Sequence, residues 1–257
     1  MRIGDFMSSI SSVASPDWAE DWDNCGVTVR SRSGEVAKVA VALDPTVESV
    51  VMANSKGCDC LLTHHPLIFS PIRAVSPDNP VGSALMELIS RDMSAICCHT
   101  NWDSSPYGTN VSLSRSIGLT DIIPLVPGIG DKWGDGAVGN TSPIPVFDLV
   151  ELIKSRWNLS FARVWGAPVD ITRVALCGGS GASLWKKAFA SGAQVYITAD
   201  LKYHDIQDAL FSGLSVIQVD HGEMEWATMA DLADNVSKAS GLETVLLPIP
   251  EVSGLIF

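Results

Sequence analysis

Short apolar, β-branched runs recur along the chain, and each gives way within a few residues to a helical pattern. That alternation constrains the fold most, because parallel strands need crossover connections and helices are what usually supply them. Val36 to Leu43 (VAKVAVAL) reads as a buried strand, and Asp44-Pro45 then offers an N-cap and a first-turn proline for a helix that Gly57 ends. Further strands are expected at Cys60 to Thr63, Ser94 to Cys98, Ile171 to Cys177, Gln194 to Thr198 and Leu214 to Val219. Helices are expected over Val81 to Arg91, Asn110 to Ile117, Val146 to Trp157, Ala182 to Ser191, His204 to Phe211 and Met224 to Ala239. The stretch from Pro124 to Pro145 is rich in Gly and Pro and reads as a connection between two lobes.

The two halves also resemble each other. A shift of 135 positions sets Val39-Ala40-Val41 on Val174-Ala175-Leu176, Gly57 on Gly192 and Thr63 on Thr198. An apolar strand followed by His-x-x-x-carboxylate occurs once per half, at His99/Asp103 and at His221/Glu225. The expected fold is therefore α/β, built of two similar α/β lobes from an internal duplication, at approximately residues 1–125 and 126–257.

Composition narrows the function. With 46% apolar and 18% charged residues in 257, the chain suits a globular fold that needs no disulfide or metal to hold it. Its formal charge of −12 argues against binding nucleic acid through phosphates, and against an anionic membrane surface. A nucleotide as a small substrate stays compatible, since a bound metal ion supplies positive charge locally. No apolar run approaches the length of a membrane span, and the N-terminus has an acid and serines where a signal peptide would be apolar. The six cysteines form no CxxC pair and are expected to be reduced and structural, in a cytoplasmic protein.

The histidines carry the chemical signal. His64, His65, His99 and His221 follow predicted strands directly, and His204 lies just past another. Ligand sites in open parallel sheets form outside the carboxyl ends of the strands. His221 and Glu225, four apart at the start of a helix, can face one ion together, whereas His99 and Asp103 share the spacing in a segment, WDSSPYG, that reads as a loop. Adjacent His64 and His65 point to opposite sides of an extended segment and can serve different ions of a pair. Mixed imidazole and carboxylate ligation suits zinc, iron or manganese alike. The Gly178-Gly179-Ser180-Gly181 turn offers backbone N–H groups to a phosphate, or is simply a tight turn. Asp200 to Asp205 (DLKYHD) either touches substrate or caps a helix.

Six segments resemble the NIF-three-like family, also known as GTP cyclohydrolase I type 2 homologues. They are Trp22-Asp23-Asn24-Cys25-Gly26-Val27, LLTHHPLIF at 61–69, HTNWDSSPYGTN at 99–110, CGGSGAS at 177–183, TADLKYHD at 198–205 and VDHGEMEW at 219–226. The resemblance implies a dinuclear metal site in the cleft between the lobes, with His64, His65, Asp103, His221 and Glu225 as ligands and Glu225 bridging. It implies two divalent ions per chain, His99 lining the site behind the ligands, and a homohexamer arranged as a trimer of dimers. Some relatives carry an inserted middle domain, and the short connections here indicate the form without it.

These readings lead to a metal-dependent hydrolase of a nucleotide-like or other phosphorylated small molecule, with His99 or His204 as acid–base partners. The alternative is a metal-binding or regulatory scaffold that acts through protein partners without turnover.

Overall fold

The computed structural model describes residues 1–168 and 170–249. In chain order the strands are β1 (Gly26–Val29), β2 (Lys38–Ala42), β3 (Cys60–Thr63), β4 (Ser94–Cys97), β5 (Thr120–Ile123), β6 (Val126–Pro127) and β7 (Gly134–Asp135). Then come β8 (Ala137–Ile144), β9 (Ala162–Trp165), β10 (Ile171–Leu176), β11 (Val195–Thr198), β12 (Ser215–Val219) and β13 (Glu243–Leu246). Among the described residues no helix is long and apolar enough to cross a membrane.

The chain forms two compact units, one of Met1–Trp102 with the chain from Met229 on, the other of Asp103–Thr228. This differs from a division near residue 125. Strand β13 pairs in parallel with β2 and so returns the C-terminal stretch to the first unit. Strand β5, before residue 125, already pairs with β8 of the second unit.

The first unit holds a sheet in the order β1-β4-β3-β2-β13. Strands β13, β2, β3 and β4 run parallel, and β1 closes one edge antiparallel. Every residue of β3 and β4 is buried, as expected for strands covered on both faces. Leu61, Leu85, Leu88 and Met93 form the centre of its core. The helix Val47–Ser55 starts two residues later than the sequence reading places it. Thr46, rather than Asp44, is its cap, with Oγ1 accepting from Ser49 N–H at 3.1 Å. That leaves the Asp44 carboxylate available elsewhere.

The second unit holds a sheet in the order β5-β8-β10-β11-β12-β9. Its central strands β10, β11 and β12 are parallel, and the strands flanking them are antiparallel. The segment 124–145 is thus not a bare connection, since β8 fills much of it and pairs with β10 over Ala137–Ile144. Trp157, at the end of the helix Val146–Trp157, is 1% exposed and donates its indole N–H to Ser116 Oγ at 2.7 Å. It is a core residue of this unit.

One predicted helix is in fact two. His221–Trp226 and Met229–Ser240 are separate helices, and the first begins earlier than Met224. Asp220 is its N-cap, with the carboxylate accepting from Glu223 N–H at 2.9 Å. Asp220-x-x-Glu223 has the capping-box spacing, and is the local signal that marks this start.

Candidate metal centre

Strand register assembles the first group of donors. Ala42 lies level with Thr63, and Thr63 with Cys97. Two residues further along each strand stand Asp44, His65 and His99, which therefore form a row at the carboxyl ends of β2, β3 and β4. His64, beside His65, joins them. One ring nitrogen from each of His64, His65 and His99 can be chosen so that all three lie within 4.8 Å of one another. The imidazole centroids are 5.1 to 5.8 Å apart.

In the second unit the same logic places His221, Asp200 and the Gly178–Gly181 turn at the ends of β12, β11 and β10. His221 and Glu225 share one face of their helix, with Nε2 3.1 Å from Oε1. Asp103 closes the single helical turn Thr100–Asp103, a helix where the sequence suggests a loop. Its carbonyl accepts from Asn110 Nδ2 at 3.2 Å. Asp103 and Glu225 occupy one neighbourhood, because both act on the Cys177 thiol. Burial pushes that thiol up first, and the charges of Asp103, Asp135 and Glu225 add to it. His204 stands apart, exposed in the first turn of the helix Tyr203–Phe211, with Nδ1 3.3 Å from Gln207 Oε1.

Each of the four strand-end histidines has its Nδ1 on an acceptor. His64 Nδ1 donates to the Cys98 carbonyl at 3.1 Å and His65 Nδ1 to Asp44 Oδ1 at 2.7 Å. His99 Nδ1 donates to both Asp23 oxygens at 3.0 Å and His221 Nδ1 to Asp200 Oδ2 at 2.6 Å. Carbonyls and carboxylates only accept, so the proton is on Nδ1 in every case. A neutral ring then presents the Nε2 lone pair, which is how metal-binding histidines are usually fixed and made more basic. Sequence reasoning missed Asp23, Asp44 and Asp200 in this role, and sequence spacing holds no signal for it, because strand register sets these pairs.

Charge supports the arrangement. Burial alone would raise the Asp23 carboxyl. Hydrogen bonds from the Thr100 hydroxyl (2.5 Å), His99, Cys25 and the Thr100 N–H outweigh it and hold Asp23 well below the usual carboxylate range. The Glu225 carboxylate beside Nε2 raises His221 to about 9, against partial burial and with help from Asp200. Without an ion, then, a proton bridges Nε2 and Glu225.

The residues fit a metal. In each unit the imidazoles have Nδ1 fixed, and the second adds two carboxylates; donors of these kinds are hard to borderline and suit zinc, iron or manganese. Gly179, at φ +61°, brings its backbone against the second group. A Cβ there would overlap Glu225 Oε1 and lie 3.2 Å from His221 Nε2, so this turn leaves the donor atoms their space only because it has no side chain.

Around the first group, Trp22 stands edge-on to His99 at 6.1 Å and tilts against Phe69 at 5.8 Å. Both aromatic rings are 60% exposed. Asp44 also lines a cleft of about 620 Å³, together with Pro66, Leu67 and the acids Glu48 and Asp78 and with no basic side chain among the described residues.

The family model Duf34/NIF3 (NGG1p interacting factor 3) matches residues 1–251. A Clostridium perfringens protein named GTP cyclohydrolase 1 type 2 homolog is 30% identical over 93% of this chain and 92% of its own. A solved Staphylococcus aureus protein shares 27% identity with a TM-score of 0.90, covering 100% of this chain and 99% of that one. A solved Bacillus cereus protein related to NIF3 has the same fold, with a TM-score of 0.92 at 20% identity and coverage of 100% and 99%. Covered almost end to end by that model and by relatives of its own length, the chain belongs to the Duf34/NIF3 family.

Proposed function

We propose that the chain is a metal-dependent hydrolase of a nucleotide-like or other phosphorylated small molecule. In this reading His64, His65, Asp103, His221 and Glu225 would hold two divalent ions, with Glu225 as the carboxylate shared between them. The observation that carries it is the set of anchored imidazoles, each with Nδ1 committed to a carboxylate or carbonyl. Such ions acidify water and neutralise charge on a substrate oxyanion. Five protein side chains serving two ions would leave room for both water and substrate, as catalytic centres require.

The protein's own residues have separable tasks. Asp44 and Asp200 orient His65 and His221. His99, oriented by an Asp23 carboxylate that stays ionised and edge-on to Trp22, is the first acid–base candidate, acting through Nε2. His204, exposed and with Nδ1 on Gln207 Oε1, is the second acid–base candidate. The exposed rings of Trp22 and Phe69, tilted against each other, offer aromatic surface on which a nucleobase could stack. The relatives' name makes ring opening of guanosine triphosphate one specific version to test. Tyr203, Leu210 and Phe211 lie on one side of an exposed helix and give self-association into a homohexamer a plausible contact.

The test is turnover by protein loaded with zinc, iron or manganese, against nucleoside triphosphates and phosphate mono- and diesters, following phosphate and formate release. The expected result is turnover with one metal and one substrate class, abolished by Asp103→Asn. Full metal occupancy with no turnover across the panel would overturn the hydrolase reading in favour of a metal-binding scaffold.

A further inference from the structure

Two cysteines of the first unit lie together beside the histidine group and have no part in the reading above. Strands β1 and β4 pair antiparallel with Gly26 level with Cys97, so Cys25 sits one residue from the partner of Cys97. Antiparallel partners have Cα atoms about 4.5–5.5 Å apart, which makes the Cys25–Cys97 diagonal about 6 Å, within the range that disulfides span. In an unbroken strand Cys25 would face away from Cys97. Gly26, at φ +97°, breaks that alternation, and the two thiols are near enough to act on each other's charge. Cys25 Sγ also donates to Asp23 Oδ2 at 3.1 Å, and Cys97 Sγ to the His64 carbonyl at 3.2 Å.

The pair is asymmetric. Cys25 is half-buried, whereas Cys97 is 1% exposed. The Cys97 thiol, with the backbone N–H groups of Asn101 and His99, lowers the Cys25 thiol against burial and the Asp23 carboxylate, which favours Cys25 as the attacking group. The other four cysteines are free thiols, and none has such a set of donors among the described residues.

We propose that Cys25 and Cys97 form an oxidisable dithiol that a hydroperoxide converts to an intramolecular disulfide. The Cys25 thiolate attacks the terminal oxygen of the hydroperoxide. An S–O bond forms, the O–O bond breaks, and the alcohol or water leaves with a proton. The Cys97 sulfur then attacks the Cys25 sulfenic acid, forming the S–S bond and releasing water that carries the Cys97 proton. Two thiols lose two electrons and two protons, and the peroxide is reduced by the same two electrons. The disulfide removes the S–H donors from Asp23 and from the His64 carbonyl, so oxidation reaches the supports of two histidines.

The full chain, kept with a chelator so that bound metal plays no part, is treated with stoichiometric hydrogen peroxide, alkylated and mapped by peptide mass. The expected product is a Cys25–Cys97 linked peptide two hydrogens lighter than the dithiol and restored by dithiothreitol. Cys58, Cys60, Cys98 and Cys177 should stay alkylatable after unfolding. In Cys97→Ser, Cys25 should stop at a sulfenic acid that dimedone traps, and in Cys25→Ser, Cys97 should stay reduced. Sulfinic acid or an interchain disulfide at Cys25 with Cys97 still reduced in the wild type would overturn the proposal. So would oxidation of Cys97 in Cys25→Ser. None of these outcomes depends on whether the chain is a hydrolase.

Discussion

A carboxylate on Nδ1 does two things for a metal-binding histidine: it selects the tautomer, and it restricts rotation of the ring. Removing such a partner typically costs about 10–100-fold in metal affinity. We expect that loss for Asp44→Asn, which still reaches His65, and for Asp200→Asn beside His221, measured by competition with a chelator. Thermal unfolding of the metal-free variants should shift little, since Asp44 and Asp200 are not core residues. An unchanged affinity in both would show that the pairs do not orient ligands. His221 adds a pH dependence of fixed sign. In metal-free protein its folded value is about 9 against 6.5 for the free side chain, so the stability it adds is present below 6.5 and fades as pH rises through 9. Metal must displace that proton, so affinity should climb with pH and level off near 9, with about one proton released on loading at pH 7.5. His221→Gln should release about one proton fewer, as read with a pH indicator, and equal release from both proteins would contradict the assignment. The histidines themselves were legible in the sequence, because strand ends can be read from apolar runs. Their carboxylate partners were not, because Asp44 meets His65 across a strand register that no local spacing encodes.

Turns and strand ends place these groups, and the sharpest test at that level is Gly179. It has φ +61°, so alanine there is strained by roughly 1 kcal/mol, and its Cβ would also meet Glu225 and His221. Gly213 has φ +92° with open space around it and serves as the control. Gly179→Ala should lose metal affinity by at least about tenfold, whereas Gly213→Ala should lower the melting temperature and keep the metal. Equal metal binding by the two variants would mean that the turn does not shape the donors. The parallel strand Cys60–Thr63 and the helix Val146–Trp157 were read to the residue, because their apolar patterns are strong. Elements with weak local signal were missed: β1, whose four residues are largely half-exposed, and the edge strand β9. The one-turn helix at Thr100–Asp103 was hidden by turn-forming residues, although Asp23 secures its start by accepting from Thr100 N–H at 3.0 Å.

At the scale of the whole chain, the C-terminal strand β13 belongs with the first unit, a long-range pairing that local patterns do not report. The residues matched by the shift of 135 do fall in corresponding places. Val39–Val41 lies in β2 and Val174–Leu176 in β10, and Thr63 and Thr198 end β3 and β11. Each unit supplies donors of its own, histidines in the first and Asp103, His221 and Glu225 in the second. A formal charge of −12 gives the chain a general attraction for divalent cations, so specific occupancy must be separated from loose binding. Elemental analysis of reconstituted, gel-filtered protein does that most directly, with wild type and Glu225→Ala side by side. We expect about two transition-metal ions per wild-type chain, and loss of most of both in the variant. Less than about half an ion in the wild type, or two ions retained without Glu225, would contradict that expectation.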